Sequence, residues 1–193
     1  MSQRWRGCLF EIVETLLLTF VIYWVVQSFA AQPYQIQQPS MEHTLEPGQM
    51  VLVDKLSPHL SDYKAGDIII FNPPNGYLED GKAIPFIKRV IGVGGDTVEL
   101  KDGAVWVNGV QLDESYVYEG QPTTQTGAVS RWAVPDGFLF VLGDHREQSE
   151  DSRVFGPIPK SSVIGRAVLR LWPLTNFGAL AGGSSPSVSP SAP

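Results

Sequence analysis

The chain has 193 residues, which allows one domain of ordinary size with a substantial core. Its 20 acidic and 14 basic residues give a net charge of −6, and no basic cluster lies in the body, so nucleic acid is excluded as a partner. The single cysteine excludes an intramolecular disulfide and the cysteine-rich zinc patterns. The 15 prolines and 19 glycines separate short runs rich in Val, Ile and Phe, which predicts a mostly β body.

An apolar stretch near the N-terminus is the first predicted element. Residues 15–31 carry no charge, and together with Ile12 and Val13 they approach the roughly 20 residues that cross a hydrocarbon core. We therefore predict a transmembrane helix over residues 9–31, preceded by a short cytoplasmic N-terminus over residues 1–8.

The charges around this stretch predict its orientation. Arg4 and Arg6 precede it and no charged residue follows it before Glu42, so the positive-inside rule places the N-terminus in the cytoplasm and the body outside. The competing interpretation is a cleaved secretory signal that ends at the small-x-small triplet of residues 28–30. The apolar stretch is longer than the 7–15 residues typical of such signals, which favours retention of the helix.

The body is predicted to extend over residues 32–178 as a set of short antiparallel strands. A short extended segment comes first, flanked by Pro33 and Pro39. Further strands are predicted over residues 50–56, 67–71, 83–93, 137–144 and 163–174, with a meander of two hairpin turns over residues 97–113. Residues 72–82 are predicted to lack regular structure, and the Gly/Ser/Pro-rich residues 179–193 to be disordered.

Ser40 follows the extended segment and is the candidate nucleophile. A histidine base is weakly supported, because no G-x-S-x-G elbow surrounds Ser40 and His43 is only three residues away. A metal site is not predicted either, since the chain has no H-E-x-x-H motif and no paired His/Cys spacing. A lysine can serve as the base when it is neutral, which requires burial or neighbouring cations.

Lys88 is the lysine that best meets this requirement. It lies in the apolar run IPFIKRVIGV, whereas the other lysines of the body lie in polar or turn contexts. Alternation along a strand predicts Phe86, Lys88 and Val90 on one face and Arg89 on the other. The residues alone leave open the alternative that Lys88 is a charge protecting an edge strand from aggregation.

Three motifs give the chain a recognisable resemblance. PSMEHTL after the apolar segment, FIKRVIGVGGDTV, and GDHREQSEDSRVFGPIP resemble, in this order, the serine, lysine and C-terminal boxes of bacterial type I signal peptidases, also called leader peptidases. The match covers almost the whole chain, and the three boxes together are highly specific. The resemblance implies one N-terminal transmembrane helix followed by a compact, mostly β, antiparallel catalytic domain of signal-peptidase type.

The resemblance also implies roles for individual residues. Ser40 is the nucleophile, Lys88 the general base, and Ser149 the hydroxyl that orients the Lys88 amine. The loop and strand around them are held by four charged residues, which are Asp144, Arg146, Asp151 and Arg153.

Several positions depart from the family pattern. The family usually has proline at the position of His43, and His145, Glu147 and Gln148 replace the usual Asn, Asp and Asn of its loop box. Many members have Ser or Gly where this chain has Gln38. The role of Gln38 stays open between an oxyanion-hole donor and a simple exposed residue.

The implied substrate is a secretory pre-protein that is cut after small residues at positions −1 and −3. Its extended segment is expected to add as a strand beside two segments of the body, made of Tyr34, Gln35, Ile36, Gln37 and Gln38 on one side and of Pro85, Phe86 and Ile87 on the other. No cofactor and no metal are expected. The bilayer is the second expected partner, contacted by Tyr77, Leu78, Ile84, Phe86 and Trp172.

Two other functions remain as alternatives. A self-cleaving repressor-type protease would share the Ser-Lys chemistry, but it would have a DNA-binding unit in place of the apolar segment. A membrane-anchored pseudoenzyme would have lost activity through its altered loop box.

Overall fold

The computed structural model describes residues 2–29, 31–56, 61–74, 78–79 and 82–180. A long helix, α1, covers Ser2–Phe29, and a short helix, α2, covers Ser152–Phe155. The strands of the described part are β1 Ala31–Gln35, β2 Met50–Asp54, β3 Ile68–Phe71, β4 Leu78–Glu79, β5 Lys82–Ala83, β6 Phe86–Val93, β7 Thr97–Lys101, β8 Ala104–Val107, β9 Val110–Gln111, β10 Arg131–Ala133, β11 Phe138–Leu142, β12 Ile158–Pro159, β13 Val163–Trp172 and β14 Gly178–Ala179.

The main sheet has eight strands in the order β1-β2-β13-β3-β6-β11-β12, with β14 paired to β13. Its neighbouring strands pair antiparallel, as predicted for the body. A second sheet has the order β10-β7-β8-β9, and β4 pairs with β5. Strand β6 belongs to the interior of the main sheet, while β1 is an outer strand.

The meander shows how local sequence determines this architecture. In β7 the buried Val98 and Leu100 alternate with more exposed residues, because successive side chains of a strand point to opposite faces. Both predicted hairpin turns are confirmed: Asp102-Gly103 joins β7 to β8, and Asn108-Gly109 joins β8 to β9. All four turn residues have positive φ, as two-residue hairpin loops of the primed types require.

The core anchors the segment that carries Ser40. Met41 and Leu45 lie one and five residues after Ser40. Both are fully buried and pack with Val51 and Val53 of β2 and with Ile68 of β3. Two further apolar clusters lie around Phe71 and Phe140. The Ser40 segment is therefore held by its own neighbours rather than lying free on the surface.

Some predicted boundaries are wrong. Residues 72–82 are not wholly irregular: their described part contains β4 and the first residue of β5, and Leu78–Glu79 pairs antiparallel with Lys82–Ala83. The strand predicted over residues 83–93 is interrupted at Ile84 and Pro85, since proline has no N–H to donate to a ladder. Strand β14, Gly178–Ala179, reaches into the predicted tail, and residues 181–193 lie outside the described residues.

Helix α1 starts earlier than the segment predicted to span the membrane. The apolar side chains between Phe10 and Trp24 are exposed along the helix. No helix in the described part of the chain reaches the length and apolarity that crossing a membrane requires.

The residues expected to contact a bilayer differ in their exposure. Phe86 is only 4% exposed, so its predicted membrane contact is wrong: its ring packs against Phe71 in the core. Trp172 is 53% exposed and Ile84 is half-buried. The side chains of Tyr77 and Leu78 lie outside the described residues.

Candidate active site

Ser40 lies in a 3-10 turn, Pro39–Met41, directly after the extended segment that continues β1. The backbone at Ile36 still pairs with the segment before β2, donating from its N–H to Gln49 O at 2.8 Å. Gln38 is extended, with φ −108° and ψ 148°, as expected for a residue that precedes proline. Ser40 is only 3% exposed, and its hydroxyl faces β6.

Lys88 lies in the interior of the main sheet, opposite Ile69 of β3. Its side chain is fully buried, and its Nζ donates a hydrogen bond to Ser40 Oγ at 2.7 Å. Because β6 lies between β3 and β11, Lys88 is not the protective charge of an outer strand. The sheet therefore brings the predicted nucleophile and base into direct contact.

Burial lowers the pKa of Lys88 to about 8, because the charged amine loses its hydration in the core. The negative charges of Asp151 and Asp144 oppose this shift, and the positive charge of Arg153 adds to it. At pH 7 roughly a tenth of such lysines are neutral, whereas an exposed lysine is neutral in only about one molecule in 2,500. The environment thus makes Lys88 a usable base near neutral pH.

Asp144 and Asp151 each hold an arginine by two hydrogen bonds. Arg89 donates to Asp144 from Nε at 2.9 Å and from Nη2 at 2.6 Å. Arg153 donates to Asp151 from Nε at 2.8 Å and from Nη2 at 2.9 Å, and Asp151 also accepts from the N–H of Gly143 at 3.1 Å. Paired in this way, buried charges can be retained in a core.

Arg146 links the same loop to the segment before β10. Its Nη2 donates to Glu114 Oε1 at 2.6 Å, its Nη1 also contacts the Thr123 hydroxyl, and its Nε donates to Gly143 O at 3.0 Å. Its own carbonyl accepts from Arg153 Nη2 at 2.6 Å. Arg146, Asp151 and Arg153 therefore belong to one network around the loop, while Asp144 binds Arg89 and Thr44 beside it.

Ser149 lies against Gly143 and the Ser40 segment. A Cβ atom built on Gly143 would be 2.2 Å from Ser149 Oγ and 2.5 Å from Ser40 O, so only glycine fits between them. The Ser149 hydroxyl is buried and makes no hydrogen bond within the described part of the chain. The hydrogen bond to Lys88 that the resemblance implies is not formed in this structure, and the orienting role of Ser149 stays a prediction.

A cleft runs between the two segments predicted to bind substrate. One part, of about 300 Å³, is lined by Pro33, Tyr34, Gln35, Ile36, Gln37, Gln38, Ile70, Ile84, Pro85 and Ile87. The neighbouring part, of about 260 Å³, is lined by Gln38, Pro39, Ser40, Ile84, Phe86, Lys88, Gln148 and Glu150. The eight predicted substrate residues all line this cleft, which ends at Ser40 and Lys88.

Sequence reasoning missed several residues of the site. Thr44 donates from its hydroxyl to Asp144 Oδ2 at 2.5 Å, and Arg89 was only assigned to the opposite face of β6 from Lys88. Glu114 was not singled out, although it pairs with Arg146. These contacts join residues 32 to 100 positions apart, so no local spacing could have indicated them.

Comparison with known proteins assigns the site to a family. The family model described as "Signal peptidase, peptidase S26" matches residues 9–172. The chain is 40% identical over 172 residues to a protein named probable signal peptidase I-1 of Synechocystis, which covers 88% of this chain and 86% of that protein. It is 33% identical to signal peptidase I of Bacillus licheniformis, and this match covers 91% of the present chain and 95% of that protein.

A crystal structure of a signal peptidase I from Enterococcus faecalis V583 is 35% identical, covering 55% of this chain and 97% of that chain, with a TM-score of 0.45. The chain belongs to the signal peptidase family, peptidase S26. It is an enzyme of the serine endopeptidase class.

Proposed function

We propose that the chain is a membrane-bound signal peptidase that removes signal peptides from secreted pre-proteins with a Ser40–Lys88 dyad. The observation that carries the proposal is the 2.7 Å hydrogen bond between Ser40 Oγ and the fully buried Lys88 Nζ. Nucleophile and base must lie within hydrogen-bond reach, and the base must be neutral at working pH; both conditions favour this pair.

The reaction begins with neutral Lys88, which takes the proton of Ser40 as Oγ attacks the carbonyl carbon at the cleavage site. The protonated amine then gives this proton to the leaving nitrogen, the peptide bond breaks, and an ester to Ser40 remains. Lys88 next takes a proton from water, whose oxygen attacks the ester. Release of the signal peptide carboxyl returns a proton to Ser40, and the lysine is neutral again.

The oxyanion of each tetrahedral intermediate needs hydrogen-bond donors in fixed positions. The backbone N–H of Ser40 is the proposed first donor. The side-chain amide of Gln38 is the candidate second donor, because Gln38 lines both parts of the cleft. Its carboxamide would have to turn toward the carbonyl oxygen once substrate is bound.

The pre-protein is proposed to bind as an extended strand in the cleft. Residues 37–38 and 84–85 belong to no strand of the described chain, so their backbone can pair with substrate from both sides. Ile36, Ile70 and Ile87 form part of the apolar lining. The preference for small residues at positions −1 and −3 is proposed from the resemblance to signal peptidases.

Helix α1 is proposed to anchor the enzyme in the cytoplasmic membrane as a single pass, with the N-terminus in the cytoplasm and residues 32–178 outside. Exposed apolar side chains along residues 10–24 support this placement. At no more than about 3.6 Å per residue, the chain from Ala31 to Ser40 keeps the nucleophile within roughly 30 Å of the helix end. In spheroplasts, added protease should degrade the body and spare an N-terminal tag; the reverse result would contradict this orientation.

The proposed activity is tested with the purified full chain in detergent and a reporter pre-protein. We expect one cut, placed by mass spectrometry after a residue that is small at positions −1 and −3. A Ser40→Ala preparation made in parallel is the control for contaminating proteases. Intact reporter with the wild-type chain would contradict the proposal and favour the pseudoenzyme alternative.

A further inference from the structure

Glu42 and His145 form a partly buried pair beside the nucleophile that the proposed chemistry does not use. His145 Nδ1 lies 2.7 Å from Glu42 Oε2, and the two side chains are only 6% and 23% exposed. An ionised carboxylate only accepts hydrogen bonds, so Nδ1 is the donor. The pair joins the Ser40 segment to the loop that follows β11.

Two further contacts hold His145 next to Ser40. Its ring stacks on Tyr118 with centroids 4.3 Å apart and an angle of 18° between the planes. Its backbone N–H donates to Ser40 O at 3.1 Å. The backbone of His145 therefore contacts Ser40, and the side chain of His145 contacts Glu42 in the adjoining turn.

The turn that presents Glu42 has an unusual backbone. Thr44 N–H donates to Met41 O at 3.1 Å, with Glu42 at φ −51° and ψ 153° and His43 at φ 78°. These angles are those of a type II turn, whose third residue is normally glycine or asparagine. Proline cannot adopt positive φ, so this turn requires a residue other than proline at position 43.

We propose that Glu42 and His145 are positioning residues that hold Ser40 Oγ in line with Lys88. The inference rests on the proposed peptidase function. Without the pair, the Pro39–Met41 turn keeps its core contacts, the link from Thr44 to Asp144 and the backbone hydrogen bond from His145 to Ser40, but it loses the side-chain link beside Ser40 and gains freedom there. A nucleophile that is misplaced by a fraction of an ångström reacts more slowly while substrate still binds in the cleft.

The test uses the full chain in detergent and a fluorogenic peptide with alanine at positions −1 and −3. We expect Glu42→Ala and His145→Ala each to lower kcat about tenfold with KM within about twofold of wild type. The double variant should lose no more than about twofold beyond either single variant, because the two residues act as a unit. Glu147→Gln, which removes an exposed charge from the same loop, is the matched control and should match wild type.

Rescue separates a hydrogen-bond role from simple packing. In His145→Asn the amide Nδ2 occupies nearly the place of the histidine Nδ1, so kcat should return to within about threefold of wild type. His145→Leu fills the space without a donor and should stay low. Glu42 is partly exposed, so Glu42→Ala remains informative even if a substitution at His145 impairs folding.

Three results would overturn the inference. They are a wild-type kcat in Glu42→Ala, a loss confined to KM, or equal activity of His145→Leu and His145→Asn. Absence of cleavage by both wild type and Glu147→Gln would instead overturn the proposed function, and this inference with it.

Discussion

Lys88 and Arg89 are neighbours on β6, both cationic and both nearly or fully buried, yet the protein treats their charges in opposite ways. Burial lowers the pKa of Lys88 to about 8. Burial also acts to lower the pKa of Arg89, but the hydrogen bonds and charge of Asp144 outweigh it and raise that pKa. Burial thus destabilises the charged form of Lys88, whereas Asp144 stabilises the charged form of Arg89.

The difference lies in what each side chain meets. Arg89 meets a carboxylate in bidentate contact, with its guanidinium 4.0 Å from the centre of the Tyr116 ring. Lys88 donates to the neutral hydroxyl of Ser40 and lies 5.0 Å from the centre of the Phe86 ring. The buried Arg89 therefore has a raised pKa beside its carboxylate, whereas the buried Lys88, which donates to a hydroxyl, has a lowered one.

The largest expected effect comes from removing either member of the dyad. Ser40→Ala and Lys88→Ala should each lower kcat by at least about 1,000-fold, because the nucleophile and its base act in the same step. The double variant should be no slower than the slower single variant. Turnover near wild type in either single variant, measured with the reporter pre-protein, would remove that residue from the mechanism.

Breaking the Arg89 pair should have its largest effect on folding. Asp144→Ala leaves a buried guanidinium without its carboxylate, so the free energy of unfolding should fall by about 3–5 kcal/mol. Urea unfolding followed by tryptophan fluorescence measures the change. Asp136→Ala, at an exposed turn, is the control and should be nearly neutral. A small loss in Asp144→Ala would mean that Arg89 is hydrated rather than held by its pair.

Removing the Lys88 charge should stabilise the fold while it abolishes activity. The pKa of Lys88 falls from 10.5 to about 8 on folding, so at pH 7 the protonated amine opposes folding by about 3 kcal/mol. Lys88→Met keeps the length of the side chain and should raise the free energy of unfolding at pH 7 by up to that amount. The exposed Lys64→Met is the control.

The pH dependence of this gain follows from linkage. Between pH 8 and 10.5 the unfolded chain binds the proton that folded Lys88 has released, so wild-type stability rises with pH across this window. The advantage of Lys88→Met should therefore shrink toward pH 10.5. An advantage that is constant with pH would mean that packing, not charge, is responsible.

The smallest expected effect is the pH profile of cleavage itself. Below pH 8 kcat/KM should fall about tenfold per pH unit, because only the neutral form of Lys88 accepts the Ser40 proton; above pH 8 it should level off. Initial rates with the fluorogenic peptide between pH 6 and pH 9 measure the profile. A rate that does not change over this interval would show that Lys88 is not the titrating base.

Local sequence predicted the burial of Lys88 better than the partners of Asp144. The apolar neighbours of Lys88 indicated burial, and burial alone lowers the pKa of a lysine. The network partners of Asp144 could not be predicted in this way, because Thr44 precedes it by 100 positions and Arg89 by 55. The proximity of Arg89 to Asp144 arises from the antiparallel pairing of β6 with β11, which only the folded sheet reveals.

The hairpin turns and the interrupted strand illustrate the same limit at the level of the fold. Asn108-Gly109 was predictable because positive φ is a property of those residue types. The pairing of Leu78–Glu79 with Lys82–Ala83 was missed because the surrounding proline and glycine residues indicate irregular structure. The role of Ser149 in orienting Lys88 came from the resemblance alone and stays a prediction, since the Ser149 hydroxyl makes no hydrogen bond within the described part of the chain.

Gly143 is a position of this site at which steric room alone decides which residues are tolerated. A single methyl group there would collide with Ser149 Oγ and with the carbonyl of Ser40, and so would push apart the two segments that carry these residues. The position has no side chain and takes no part in proton transfer. In a screen of all substitutions for activity, Gly143 would nonetheless be as intolerant as Ser40. Loss of activity on substitution can therefore report a lack of space for a side chain as well as a role in the chemistry.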